Sequence, residues 1–166
     1  VAFEFCVLSG GAVYCKHGLE DLSSTIGSTF LRLPERSADE LCLGRVEVLA
    51  QLFDDVDHES FGINFDPCYL TLMGIDPSKL AGRFSKRIVH AHLKDHRGTY
   101  PKGTHLLPGA GVLAYDRIFR GLKAAGFRAS ASVECFTNMK FETACDECYS
   151  AMVKAAGAGG VRFARN

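Results

Sequence analysis

Arg87-Ile88-Val89-His90-Ala91-His92-Leu93-Lys94-Asp95 is the stretch on which the fold turns. It opens on β-branched residues, stays apolar at alternate positions and ends in imidazole and charge, the pattern of a short strand whose last residues face a polar site. The same layout stands upstream in Phe61-Gly62-Ile63-Asn64-Phe65-Asp66, closed by Pro67. It stands again downstream in Ala129 to Cys135, where Glu134 comes late. Val1 to Leu8 is a fourth apolar strand, carrying Glu4 and stopped by Gly10-Gly11.

Helical spacing fills the gaps between these strands. Ser37 reads as an N-cap with Glu40 completing a capping box, and Leu41, Val48, Leu49, Leu52 and Phe53 follow on one face. Asp76 is placed to cap a short helix that begins at Pro77. Ile118, Phe119, Leu122 and Ala125 mark a further helix ended by Gly126. Phe141, Ala144, Cys145, Cys148, Met152 and Ala155 mark the last one. Residues 9–37 lack periodicity and are rich in Ser, Thr and Gly, so a long loop with one short strand or helical turn is expected there. Residues 98–111 read as a Gly/Pro-containing loop. The resulting β-α-β-α-β-α-β-α order implies an α/β fold with a parallel sheet and crossover helices. No internal repeat divides residues 1–166, which are expected to form one unit.

Composition narrows the function. Lys plus Arg and Asp plus Glu both number 19, so the basic excess of a nucleic-acid surface is missing and no nucleic-acid partner is expected. No apolar run reaches the roughly 18 residues of a membrane span, and the apolar start carries Glu4 without a basic n-region, so neither a membrane partner nor a signal peptide is expected. Seven cysteines, an odd number without repeated spacing, fit reduced thiols in a cytoplasmic protein. Cys145 and Cys148 form a C-x-x-C inside a helical pattern and read as a packed pair on one helix face rather than a redox motif.

Each strand carries one metal-capable side chain: Glu4, Asp66, His92 and Glu134. In a parallel barrel the C-terminal strand ends meet at one face, which carries the chemistry. Two Glu, one Asp and one His suit Mn²⁺, Co²⁺ or Mg²⁺, and Zn²⁺ is also compatible with such donors. Taken singly, Asp66 reads equally well as a turn or cap residue, and His92 as a structural histidine. A carboxylate inside an apolar strand, as at Glu134, is costly unless paired or metal-bound. Arg97, Lys94 and Tyr69 are candidates for substrate contact, Arg97 and Lys94 through a substrate hydroxyl or phosphate. His96 and His105 read as loop residues.

As an ordered set, Gly62 to Pro67, the H-x-H-x-K-D strand at His90 to Asp95, Leu107-Pro108-Gly109-Ala110-Gly111, and Ser132-Val133-Glu134 resemble the sugar phosphate isomerase/epimerase family, the xylose isomerase-like TIM barrels. The resemblance covers roughly residues 60 to 160. It implies a (β/α)8 barrel, of which the chain holds the last four βα units as a partial barrel. It implies metal ligands at Glu4, Asp66, His92 and Glu134, with Glu4 and Glu134 doubling as the acid/base pair. His90 would face the barrel interior one pleat before the ligand His92. Tyr69 stands where family members often have His, and Ala110 where an acidic residue is common. The implied enzyme is a divalent-metal-dependent isomerase or epimerase of carbohydrate metabolism. Its partner would be a small-molecule sugar, sugar phosphate or related hydroxy-carbonyl compound, turned over through an enediolate by carboxylate proton transfer.

Two other functions compete. An AP-endonuclease-like phosphodiesterase would need more His ligands and a basic DNA face. A non-catalytic barrel fragment would keep the fold pattern without binding metal. A full barrel takes about 250 residues, and half of one leaves strand edges uncovered, for which a homo-oligomer is one expected remedy.

Overall fold

The computed structural model describes residues 3–8, 11–15, 38–58, 61–99, 102–133 and 139–163. In chain order the elements are β1 (Phe3–Leu8), β2 (Gly11–Cys15), α1 (Ala38–Val56), β3 (Phe61–Phe65), α2 (Pro67–Leu72), α3 (Pro77–Arg83), β4 (Ile88–Leu93), β5 (Asp95–Arg97), β6 (Thr104–Leu106), α4 (Tyr115–Ala124), β7 (Ala131–Val133) and α5 (Phe141–Ala158). Five strands form one sheet in the order β1-β2-β3-β4-β7, and β5 and β6 form a separate two-stranded ribbon.

β3, β4 and β7 are parallel neighbours, as the alternation of strand and helix predicts. The N-terminal part departs from that alternation. β1 and β2 are antiparallel, and β2 is antiparallel to β3. Only Ser9 and Gly10 separate β1 from β2 in the sequence. So short a connection can reverse the chain but cannot cross over to a parallel neighbour, which takes a dozen residues or more. The long loop expected at residues 9–37 therefore contains the strand Gly11–Cys15, and its remainder lies outside the described residues, as does the capping-box residue Ser37.

The core lies on the helix-covered side of the sheet. Phe61, Ile63 and Phe65 of β3, and Ile88, Ala91 and Leu93 of β4, are buried there with Leu52 and Phe53 of α1. Tyr115, Ile118, Phe119 and Leu122 of α4 and Met152 and Ala156 of α5 join them. The Phe53 ring sits 4.9 Å from Phe61 and 5.8 Å from Phe84, centroid to centroid. Gly126 ends α4 at a positive φ of 75°, with Gly126 N donating to Lys123 O and Phe127 N to Leu122 O. This closes the last turn in the way a C′ glycine permits. Cys148 is buried on the inner stripe of α5 with Ala144, Met152 and Ala156, whereas Cys145 is exposed. The two thus part company across the helix.

β4 contains one irregularity that decides what faces the site. Ile88, Ala91 and Leu93 are all buried, although the first two are three residues apart. Strict alternation would put Ile88 and Ala91 on opposite faces. The register explains the difference: Ile63 pairs with Ile88 but Asn64 with His90, so Val89 is an extra residue in β4. This bulge shifts the phase of the strand by one, keeps Ala91 and Leu93 in the core, and places His90 and His92 on the opposite face. A Cβ on Gly62 would run into the Val89 side chain, so the bulge is accommodated by the absence of a side chain opposite it.

Candidate site at the C-terminal strand ends

The inner face of the sheet is polar. Asn64 of β3 pairs in register with His90 of β4, and His92 pairs with Ser132 of β7. His90 Nδ1 lies 2.9 Å from Ser130 Oγ, and its Nε2 lies 2.8 Å from Ser132 Oγ. The imidazole thus bridges two hydroxyls of the neighbouring strand. The His92 ring meets His90 edge-on, 5.4 Å between centroids. Asn64 is 1% exposed, and among the described residues neither its amide nitrogen nor its oxygen has a hydrogen-bond partner. Such a group is costly in an interior and marks a polar site.

Asp66 follows directly on β3 and does two things. Its Oδ1 accepts from Cys68 N at 3.0 Å and Tyr69 N at 3.2 Å, capping α2, in which Pro67 takes the first helical position. Pro67 therefore starts a helix rather than merely closing a strand. Asp66 Oδ2 faces Lys94 Nζ at 3.0 Å, and both side chains are nearly inaccessible. The Lys94 ammonium also lies 4.0 Å from the Tyr69 ring centroid, within cation–π reach. His105 of β6 meets the other edge of this cluster, 5.4 Å from the Tyr69 ring and with Nδ1 3.5 Å from Cys68 Sγ.

Lys94 is rigidly held. Tyr115 Oη donates to Lys94 O at 2.6 Å. Burial, and then the neighbouring Asp95, Asp66 and Cys68 charges, push the Tyr115 phenol far above its ordinary range. The next residue, Asp95, is fully buried. Its Oδ1 accepts from His96 N at 2.8 Å and Leu113 N at 3.1 Å, and its Oδ2 from Gly109 N at 3.1 Å and Gly111 N at 3.0 Å. The H-x-K-D strand and the Pro-Gly-x-Gly loop are thus one device: the carboxylate ties the loop down by three amides, those of Gly109, Gly111 and Leu113. A Cβ on Gly111 would run into Asp95 Oδ1 and His96 O, so only glycine fits that approach. His96 is buried beside it, with Nδ1 3.1 Å from Gly98 O and Nε2 without a hydrogen-bond partner among the described residues.

The candidate residues fall out as follows. Asp66, Lys94 and Tyr69 are brought into direct contact, and His92 stands at the same end of the sheet. Arg97 is exposed on β5, in the ribbon beside this end. Glu134 lies outside the described residues. Glu4 does not join the cluster. It is the second residue of β1, level with Tyr14 of β2 and through it with Gly62 at the start of β3. Gly62 is four residues before Asp66, about 13 Å along a strand. The cause is the hairpin, which sets β1 beyond β2 and places Glu4 near the beginning of its strand rather than at its end. His96 and His105 were expected in a loop and instead pair in register across the β5–β6 ribbon. Asp95, Asn64, Ser130 and Ser132 were not singled out by sequence reasoning. For Asp95 a signal was available: it is a carboxylate next to an apolar strand and precedes a loop rich in free amides.

An imidazole and a carboxylate at one sheet end suit a divalent ion of the N/O-binding type, and Asp66 Oδ2 already faces a buried cation. These two donors fit such an ion. Among the described residues no three His, Cys, Asp or Glu side chains stand together closely enough to hold one. Among the described residues no helix is long and apolar enough to cross a membrane.

The family described as xylose isomerase-like TIM barrel matches residues 35–148, more than half of the chain. Inosose dehydratase of Bacillus cereus strain AH820 is 27% identical over 101 residues, covering 52% of this chain and 34% of that protein. The rhizopine catabolism protein MocC of Rhizobium meliloti is 32% identical over 94 residues, covering 48% and 29%. The chain thus spans about a third of the length of these relatives. Among solved structures, a xylose isomerase domain protein from Alicyclobacillus acidocaldarius superposes with a TM-score of 0.60 at 20% identity, covering 69% of this chain and 44% of that one. The IolI protein, solved with a bound zinc atom, superposes with a TM-score of 0.55 at 22% identity, covering 72% and 45%. The shared fold, the H-x-H-x-K-D strand and the Asp95-bound glycine loop agree with the sequence match: the chain belongs to the xylose isomerase-like TIM barrel family.

Proposed function

We propose that the chain carries the C-terminal part of the site of a divalent-metal-dependent enzyme that moves a proton next to a carbonyl in a sugar, sugar phosphate or related hydroxy-carbonyl compound, as an isomerase or epimerase does. One observation carries the reading. A buried carboxylate, Asp66, and an imidazole, His92, stand at the same C-terminal end of parallel strands, where barrel enzymes keep their chemistry.

In this reading Asp66 and His92 hold the ion together with Glu134, which directly follows β7 in the sequence. The ion, when bound, supplies a Lewis acid for the carbonyl and adjacent hydroxyl oxygens. Glu134 takes and returns the proton. Glu4, level with Gly62, is not carried into this set. Tyr69 forms a wall of the site, and Arg97 is placed to meet a substrate hydroxyl or phosphate. The metal is Mn²⁺, Co²⁺, Mg²⁺ or Zn²⁺; IolI, with its bound zinc, is a fold neighbour. The setting is cytoplasmic, and the assembly is a homo-oligomer.

A second reading, dehydration, is favoured by the likeness to inosose dehydratase. It begins with the same proton abstraction and differs in expelling a hydroxide. The test is proton NMR of candidate ketoses and inososes in D₂O with Mn²⁺, comparing the wild-type chain with His92→Ala and Glu134→Ala. Exchange of the proton alpha to the carbonyl, lost in both variants, supports the proposal, and loss of water from the product selects dehydration. A folded wild-type chain that neither binds Mn²⁺ nor exchanges any alpha proton would point to a non-catalytic fragment.

A further inference from the structure

Resting on the metal-site reading above, we propose that Lys94 is the resident cation of Asp66, and that binding of a divalent ion at this carboxylate is an exchange for the lysine ammonium rather than an addition to an open site. Asp66 Oδ1 is taken by Cys68 N and Tyr69 N at the head of α2. Its Oδ2 faces Lys94 Nζ at 3.0 Å. An oxygen-bound ion sits about 2.0–2.2 Å from its ligand. An ammonium held 3.0 Å from the same oxygen would then lie against a double positive charge in a place that water barely reaches.

The surroundings hold the ammonium where it is. The Tyr69 ring, 4.0 Å away, presents its face to the charge. Tyr115 Oη fixes the Lys94 carbonyl, and the next residue, Asp95, is itself held by four amides that donate to its carboxylate. The backbone of Lys94 cannot give way, so the ammonium leaves Asp66 only by rotation of its own side chain. Two consequences follow. Asp66 stays charge-compensated without metal, so the chain does not depend on an ion to bury it. And the apparent affinity for metal is lowered by whatever free energy holds Lys94 in place. Tyr69 strengthens that hold through its ring face.

The test is calorimetric titration with Mn²⁺ alone into the wild-type chain, Lys94→Met and Tyr69→Leu. Lys94→Met keeps the apolar stem and deletes the charge, and it is expected to bind Mn²⁺ on the order of ten- to a hundredfold more tightly than wild type. Tyr69→Leu keeps the charge but removes the ring, and is expected to bind a few-fold more tightly. If wild type binds and Lys94→Met binds equally or more weakly, the lysine shares the carboxylate with the ion and the exchange is refuted while the metal site stands. If neither binds, the metal-site reading falls and the exchange with it. Should circular dichroism report that Lys94→Met is unfolded, Tyr69→Leu decides: unchanged or weaker binding refutes the exchange.

Discussion

Replacing Asp95 by Asn is a nearly isosteric change, yet it is expected to be among the most damaging single substitutions in the chain. The carboxylate accepts four amides, two at each oxygen. An amide side chain keeps one oxygen and turns a nitrogen donor toward two N–H groups that also donate. Two hydrogen bonds to a charged acceptor are lost, and two buried donors face another donor. With roughly 1.5–3 kcal/mol for each bond to a charged group, Asp95→Asn should lose at least about 3 kcal/mol. Asp95→Ala, which abandons all four, should lose about 6 kcal/mol by the same count, less where water reaches the half-exposed loop. A small domain has only about 5–15 kcal/mol in all. Urea denaturation followed by far-UV circular dichroism reads the change directly. With a slope of about 2 kcal/mol per molar, the midpoint should fall by about 1.5 M for Asn. Hydrogen exchange adds a local reading: the amides of Gly109, Gly111 and Leu113 should lose protection in the variant while those of β3 keep more of theirs. A midpoint shift below about 0.5 M for Asp95→Asn would refute the idea that this carboxylate holds the loop.

Tyr115 should remain protonated in alkaline solution until the chain unfolds, because burial is the first cause of its raised phenol; absorbance titration of wild type against Tyr115→Phe should differ by no titrating group below the unfolding pH. The same substitution leaves the Lys94 carbonyl without its donor and is expected to cost about 1–2 kcal/mol in urea denaturation. Asp76, which caps α3 through Ser78 N and Ser78 Oγ, has its carboxyl held below the usual range, first by the Ser78 hydroxyl. A depressed folded value means stability present above the unfolded pKa and lost as pH falls through the folded one. Asp76→Ala should therefore cost about 1 kcal/mol at neutral pH, and wild type and variant should converge only as pH falls below the ordinary aspartate range in acid denaturation curves.

Much of the fold was legible because the three parallel strands β3, β4 and β7 have short apolar runs bounded by clear helix signals. Asp76 before Pro77 and Gly126 after Ala125 behave as their residue types require. The hairpin at the start was not legible. Gly10-Gly11 reads equally well as a stop and as a reversal, and only pairing with β3 distinguishes the two. The ribbon of β5 and β6 hid inside a Gly/Pro-containing loop because its strands are three residues each and carry histidines and charges instead of an apolar alternation. At the site, residue type pointed to Asp66 and His92, but type alone could not say that a lysine two residues beyond His92 reaches Asp66. Nor could it say that Asp95 serves the loop rather than a ligand. Both depend on which way side chains leave the end of β4, and that is set by the bulge.

The Val89 bulge makes the length of β4, and not only its composition, part of what the chain encodes. Counting residues from Ile88, an odd or an even number of steps decides whether a side chain meets the core or the site. Deleting Val89 alone would remove the extra residue and restore strict alternation, with Ile88, Ala91 and Leu93 still on the core face, whereas deleting or inserting one residue between His90 and Leu93 would put part of the strand on the wrong face. Insertions and deletions within this one strand are therefore a sharper hazard than most substitutions there. An alignment that slides a gap across Val89 would misassign the inward faces of relatives that share every letter of the motif.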